Sequence, residues 1–124
     1  MELPEGLKYS KNHIWLKKDD KTVKLGITDY AQDELGDVVF VDLPREGETY
    51  DMEDVFGTVE SIKTVSDLFM PIKGEFISIN ENLMDNPELV NEDPYGKGWI
   101  AEVEIIEENT NLLTREEYES KVLD

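Results

Sequence analysis

Short runs of alternating apolar and polar residues, broken about every 8–12 residues by turn chemistry, limit this chain more than any other feature. Ile14 and Leu16 alternate with Trp15 and Lys17, Asp19-Asp20 makes a turn, and Val23, Leu25 and Ile27 alternate with Lys24 and Gly26. That spacing predicts a hairpin with one wet face. Asp37 to Leu43 is apolar at successive positions and predicts a strand covered on both faces, in the middle of the core. Val55 to Glu60 and Val65 to Met70 predict two strands around a tight turn at Ser61-Ile62-Lys63-Thr64, with further strands over 74–80 and 98–105. The helices are short. Thr28 offers a cap to Asp29 through Leu35, and Gly36 supplies the left-handed residue that ends it. Asn86 before Pro87 predicts a cap and first turn for 88–90. Thr114-Arg115-Glu116-Glu117 has capping-box spacing and opens a C-terminal helix that turns Tyr118 and Val122 toward the body. The sum is a mainly β fold, a small barrel or sandwich, in a single domain over residues 1–124.

The surface chemistry excludes whole classes of partner. Twelve basic and 30 acidic residues give a net charge of −18. Such a chain repels nucleic-acid phosphates and anionic membrane surfaces before contact, and the charge points to a monomer. No window approaches the ~18 unbroken apolar residues of a membrane span, and the first residues lack a secretory pattern, so the expected location is cytoplasmic. There is no cysteine and only one histidine, His13, which removes disulfides, thiolate nucleophiles and histidine-rich metal sites.

Catalytic constellations are scarce. His13 could act as a base, but no nucleophile elbow accompanies it, and beside an apolar strand a lone histidine reads first as a half-buried structural residue. Gly96-Lys97-Gly98 lacks phosphate-loop spacing and reads as a turn, and the carboxylates contain no calcium-loop pattern. Lys63 stands apart by its place, between two largely apolar strands at the tip of the predicted hairpin. By position alone it is an ordinary exposed charge. An amine displayed on a rigid turn is also a substrate for an external acylating enzyme, and the product is a long tether on a compact base.

Around Glu60-Ser61-Ile62-Lys63 the chain resembles the lipoylation motif of the glycine cleavage system H-protein family. The resemblance runs nearly end to end. It covers Gly6-Leu7-Lys8-Tyr9, His13-x-Trp15, Leu25 through Gln32, Leu35 through Pro44, Ser66-Asp67, Pro71 through Glu75, Asn80 through Leu83, Pro87 through Asn91, and Pro94-Tyr95 to Gly98-Trp99. It implies a barrel-sandwich hybrid of the lipoyl/biotinyl type with short added helices and a C-terminal helix. It further implies (R)-lipoate bound covalently to Lys63, with Glu60 read by the lipoate-attaching enzyme and Asn12, His13 and Asp67 near the sheltered arm. About twelve bonds separate a lysine Cα from the far sulfurs of such an arm, and roughly 1.25 Å of advance per bond gives a reach of about 15 Å. The implied role is that of a carrier without catalysis of its own. It would take an aminomethyl group of glycine from the P protein (glycine decarboxylase) to the T protein (aminomethyltransferase), with the L protein (dihydrolipoyl dehydrogenase) reoxidising the arm.

One position departs from the family pattern. An acid usually follows the motif histidine, and this chain has Ile14. An isoleucine can neither accept a hydrogen bond from the loaded arm's amine nor offset its charge, which implies weaker retention or a different use. An H-protein-like carrier acting mainly in lipoate relay or another lipoyl-dependent pathway therefore stays open, as does an unmodified interaction module. A biotin carrier is disfavoured because Ile62 and Thr64, rather than methionines, flank Lys63.

Overall fold

A computed structural model describes residues 1–123. Two antiparallel sheets carry the fold. The larger is built from β1 (Lys8–Tyr9), β2 (Ile14–Asp19), β3 (Thr22–Ile27), β5 (Thr49–Tyr50), β8 (Lys73–Ile79) and β9 (Ala101–Glu107), in the order β1-β2-β3-β9-β8-β5. The smaller contains β4 (Val38–Asp42), β6 (Val55–Ser61) and β7 (Val65–Phe69), with β6 in the centre. Four short helices decorate them: α1 (Asp29–Leu35), α2 (Asn82–Asp85), α3 (Leu89–Glu92) and α4 (Arg115–Lys121). Among the described residues, no helix is long and apolar enough to cross a membrane.

The β2–β3 register explains why the chain has two apolar clusters. Ile14 lies opposite Ile27 and Leu16 opposite Leu25, and these side chains share one face. They join Val41, Val59, Leu68, Phe76 and Val103 in the main core. The intervening pair, Trp15 opposite Gly26, points the other way. Trp15 is 1% exposed there, in a second cluster with Leu3, Tyr9 and Tyr118, and its indole N–H donates to the Pro94 carbonyl at 3.0 Å. Gly26 is required beside it, since a β-carbon would sit 2.8 Å from the indole nitrogen. The wet face expected for this hairpin is therefore dry at the Ile14–Leu16 end. The N-terminal segment and α4 cover it, and periodicity within the hairpin cannot show what arrives from elsewhere in the chain.

The expected hairpins and the last helix are present, with three further corrections. Rather than lying mid-core, β4 is an edge strand of the smaller sheet. A bulge between Val38 and Phe40 turns both Val39 and Phe40 outward, 48% and 51% exposed. A continuous apolar run reads as doubly covered, whereas a bulge places two successive side chains on one outer face. Asn86 does not N-cap α3, where Glu88 takes that position. It is instead the C-cap of α2, its N–H donating to the Asn82 carbonyl, and its own carbonyl accepts the Leu89 N–H in the turn into α3. Strand β9 begins at Ala101 because Gly98 and Trp99 are engaged in turns with Asp93 and Gly96.

Candidate functional site

The β6–β7 turn is held by one buried hydroxyl. The Ser61 backbone N–H donates to the Thr64 carbonyl at 2.8 Å, and Ser61 Oγ accepts the backbone N–H groups of Lys63 and Thr64 at 3.3 and 3.2 Å. Ile62 N–H reaches the Asp37 carbonyl at 3.1 Å, tying the tip to the entry of β4. Lys63 is exposed at this braced tip. Its methylenes lie over Gly36, where a β-carbon would sit 3.4 Å from Cε. Gly36 has φ 78 and ψ −162, a positive-φ backbone suited to glycine, though extended in ψ rather than the left-handed helical geometry expected.

An apolar collar of exposed side chains flanks the hairpin tip. Ile62 and Val65 are 73% and 59% exposed, and Phe40, Glu60 and Val65 pair across the three strands of the smaller sheet. Glu60 thus stands between two exposed apolar side chains on the outer face.

Immediately beyond the tip, a cleft of about 410 Å³ runs between β7 and α1. Thr64 to Leu68 form one wall, and Tyr30, Ala31, Glu34 and Leu35 form the other, with Asn12, His13 and Ile27 completing it. The structure brings Asn12, His13 and Asp67 into this one cleft, next to Lys63, and leaves Glu60 outside it. A hollow of about 560 Å³ beside Pro44, Arg45 and Met84 contains none of the candidate residues. Ile14 is absent from the cleft wall and 1% exposed in the core. The carboxylates at the cleft come instead from Asp67 and Glu34. Neither Glu34 nor Tyr30 was singled out from the sequence, although their i, i+4 spacing on the predicted helix was a usable signal.

His13 is clasped on several sides. Its backbone is left-handed, φ 69, and is fixed by N–H donation to the Ser10 carbonyl at 3.1 Å and by acceptance from Thr28 N–H at 3.0 Å. The ring packs against Tyr30 with centroids 5.0 Å apart, and Nδ1 lies 2.6 Å from the Tyr118 hydroxyl. Burial lowers its pKa from the ordinary value, and the Glu34 charge opposes this in part. Asn12 donates to Glu53 Oε2 at 3.2 Å.

The site fits a tethered acyl chain on chemical grounds. Apolar side chains of Ile27, Ala31, Leu35 and Leu68 can cover methylenes, and Asp67 and Glu34 can accept from a cationic end. Among the described residues, no group of three or more histidines and acids could hold a metal ion.

The comparisons with known proteins agree with one another. The family model described as Glycine cleavage H-protein matches residues 7–124. A glycine cleavage system H protein of Oceanobacillus iheyensis is 50% identical, with all of both chains covered. A probable glycine cleavage system H protein of Natronomonas pharaonis is 49% identical over 98% of this chain and 97% of its own. A crystal structure of a glycine cleavage system H protein from Mycobacterium marinum matches with a TM-score of 0.91 at 38% identity, covering 96% of this chain and 98% of that one. With sequence match and three-dimensional match both spanning nearly the whole chain, the protein belongs to the glycine cleavage H-protein family.

Proposed function

We propose that this chain is the lipoyl carrier of a glycine cleavage system, a single non-catalytic domain bearing (R)-lipoate on Lys63. The observation that carries the reading is the exposed Lys63 amine on a braced hairpin tip, directly beside a cleft lined by both apolar and acidic side chains. When bound, the lipoyl group supplies the transfer chemistry, accepting the aminomethyl group at the P protein, yielding it at the T protein and being reoxidised by the L protein. The chain's own residues display and shelter. Ser61 fixes the turn that presents the amine to the attaching enzyme, and Glu60 with Phe40 and Val65 forms the face that enzyme meets. Asp67 and Glu34 hold a cation in the cleft, and Leu35 and Leu68 exclude water from it. A cytoplasmic monomer suits that work.

Incubating the full chain with lipoate and a lipoate ligase, followed by peptide mapping, tests the attachment. The lipoyl mass increment falls on Lys63, and Lys63→Arg takes up none. Reconstitution with P, T and L proteins then requires the modified chain for glycine cleavage. An adduct at another lysine, or cleavage supported equally by Lys63→Arg, refutes the proposal. A chain that accepts lipoate yet fails with P and T proteins is instead the relay carrier.

A further inference from the structure

A buried row of hydroxyls determines which nitrogen of His13 carries its proton. Thr28 is fully buried, its Oγ1 accepts the Ala31 backbone N–H at 3.2 Å, and its remaining partner among the described residues is the Tyr118 hydroxyl at 2.8 Å. The Thr28 proton therefore has one acceptor, Tyr118. Tyr118 is also fully buried, and with its oxygen receiving that bond its own proton goes to His13 Nδ1 at 2.6 Å. In the reverse order His13 donates from Nδ1, Tyr118 donates to Thr28, and the Thr28 proton is left buried without an acceptor. That disfavours the reverse order by about tenfold or more. Burial raises the Tyr118 pKa to about 12, so its proton is present throughout the neutral range.

The other ring nitrogen is free. Nε2 makes no hydrogen bond among the described residues, and the only buried side-chain nitrogen or oxygen there without a partner is Arg115 Nε, so Nε2 is solvent-accessible on a residue that lines the cleft.

We propose that Thr28 and Tyr118 lock His13 as the neutral imidazole with its proton on Nε2, so that the cleft offers a fixed N–H donor alongside the Asp67 and Glu34 carboxylates. Tyr118 is a positioning residue, acting through His13 from the C-terminal helix. This rests on the reading that an arm on Lys63 enters the cleft. There the donor serves an acceptor on the arm, its amide carbonyl or a sulfur, while the acids take a cationic end. The opposite tautomer would put a lone pair at Nε2, a base able to draw the proton from that cation. Charging His13 would likewise require Nδ1 to donate to Tyr118 and the row to reverse. The titratable groups around the ring are Tyr30 and Glu34 from α1, Tyr118 from α4 and Asp67 from β7.

Because His13 is the sole histidine, long-range proton–nitrogen correlation NMR on the 15N-labelled, unmodified full chain reads its tautomer without ambiguity. At neutral pH the expected spectrum shows Nε2 protonated and Nδ1 bare. Tyr118→Phe gives a mixture of tautomers with a higher titration midpoint, and Thr28→Ser, which keeps the hydroxyl row, retains the wild-type pattern. On the loaded arm, Tyr118→Phe raises the hydrolysis rate roughly fivefold, the effect of one lost neutral hydrogen bond. Nδ1 protonated in the wild type overturns the proposal, and that spectrum decides even if Tyr118→Phe does not fold. An unaltered spectrum in folded Tyr118→Phe overturns it also, as does an unchanged hydrolysis rate. A chain that is never modified at Lys63 refutes the carrier reading and the donor's service to an arm, while the spectrum still decides the tautomer lock. Lipoylation at Lys63 with the wrong tautomer refutes the lock alone.

Discussion

At the scale of single residues, Ser61 shows how much a small buried hydroxyl can decide. It is 5% exposed and organises a four-residue turn whose other members face water. Replacing it with alanine leaves the strands paired but removes the acceptor for two turn N–H groups, which water at the exposed tip can partly satisfy. Ser61→Ala should cost about 1 kcal/mol in urea unfolding. It should also slow lipoylation of Lys63 several-fold, because the amine is then presented from an ensemble of turns rather than one. Measured attachment kinetics equal to wild type, at the same loss of stability, would show that the turn's rigidity does not matter to the attaching enzyme. Hydrogen exchange at the Lys63 and Thr64 amides reports the same loosening directly.

At the scale of elements, what could be read from the sequence follows the range of the interactions involved. The Thr114 capping box is wholly local, Thr114 to Glu117 and back, and it forms as its spacing predicts. The β2–β3 and β6–β7 hairpins are also local and carry their own turn residues. The place of β4 is not local. Its four apolar residues are identical in pattern to a buried strand, and only the sheet order and the bulge expose Phe40. The candidate site divides the same way. The turn placed Lys63 at an exposed tip, where position alone reads it as an ordinary charge, and family resemblance singled it out together with Asn12, His13 and Asp67. Glu34 and the Thr28–Tyr118–His13 row depend on which helix covers which strand, information spread over more than a hundred residues of chain.

The docking of α4 has a pH signature. Tyr9 and Tyr118 stack at 5.0 Å, and burial raises both from the ordinary tyrosine value to about 12. A folded pKa above the unfolded one favours the fold fully below pH 10, and that advantage is lost as pH rises from 10 through 12. Each tenfold bias is about 1.4 kcal/mol, so the pair accounts for a few kcal/mol. Denaturant unfolding followed between pH 9 and 12 should show this steep loss, and the Tyr9→Phe/Tyr118→Phe double variant should lose less over the same interval. Parallel curves for the two proteins would mean that other groups, lysines included, carry the alkaline transition.

At the scale of the whole molecule, one quantity acts in two opposite directions. The net charge of −18 is only lightly offset by contact: the ion pairs, such as Lys18 with Glu108 and Arg115 with Glu5, lie on the exposed surface. Pairs of that kind contribute little to stability. The acids repel one another across a compact body, which opposes folding, and the same field would draw in a partner with a basic docking face. Salt separates the two effects. Raising ionic strength from about 0.01 M to 0.15 M shortens the screening length from about 30 Å to about 8 Å. Self-repulsion then weakens, and the thermal midpoint of the isolated chain should rise. Over the same range, stopped-flow association with the T protein should slow by about tenfold or more, with dissociation much less affected. Opposite slopes in the two experiments identify the charge as a device for encounter, carried at some cost to the fold. If the midpoint falls with salt, the surface ion pairs outweigh the repulsion. If association is indifferent to salt, the acidic surface serves solubility, and docking rests on the apolar collar around Lys63.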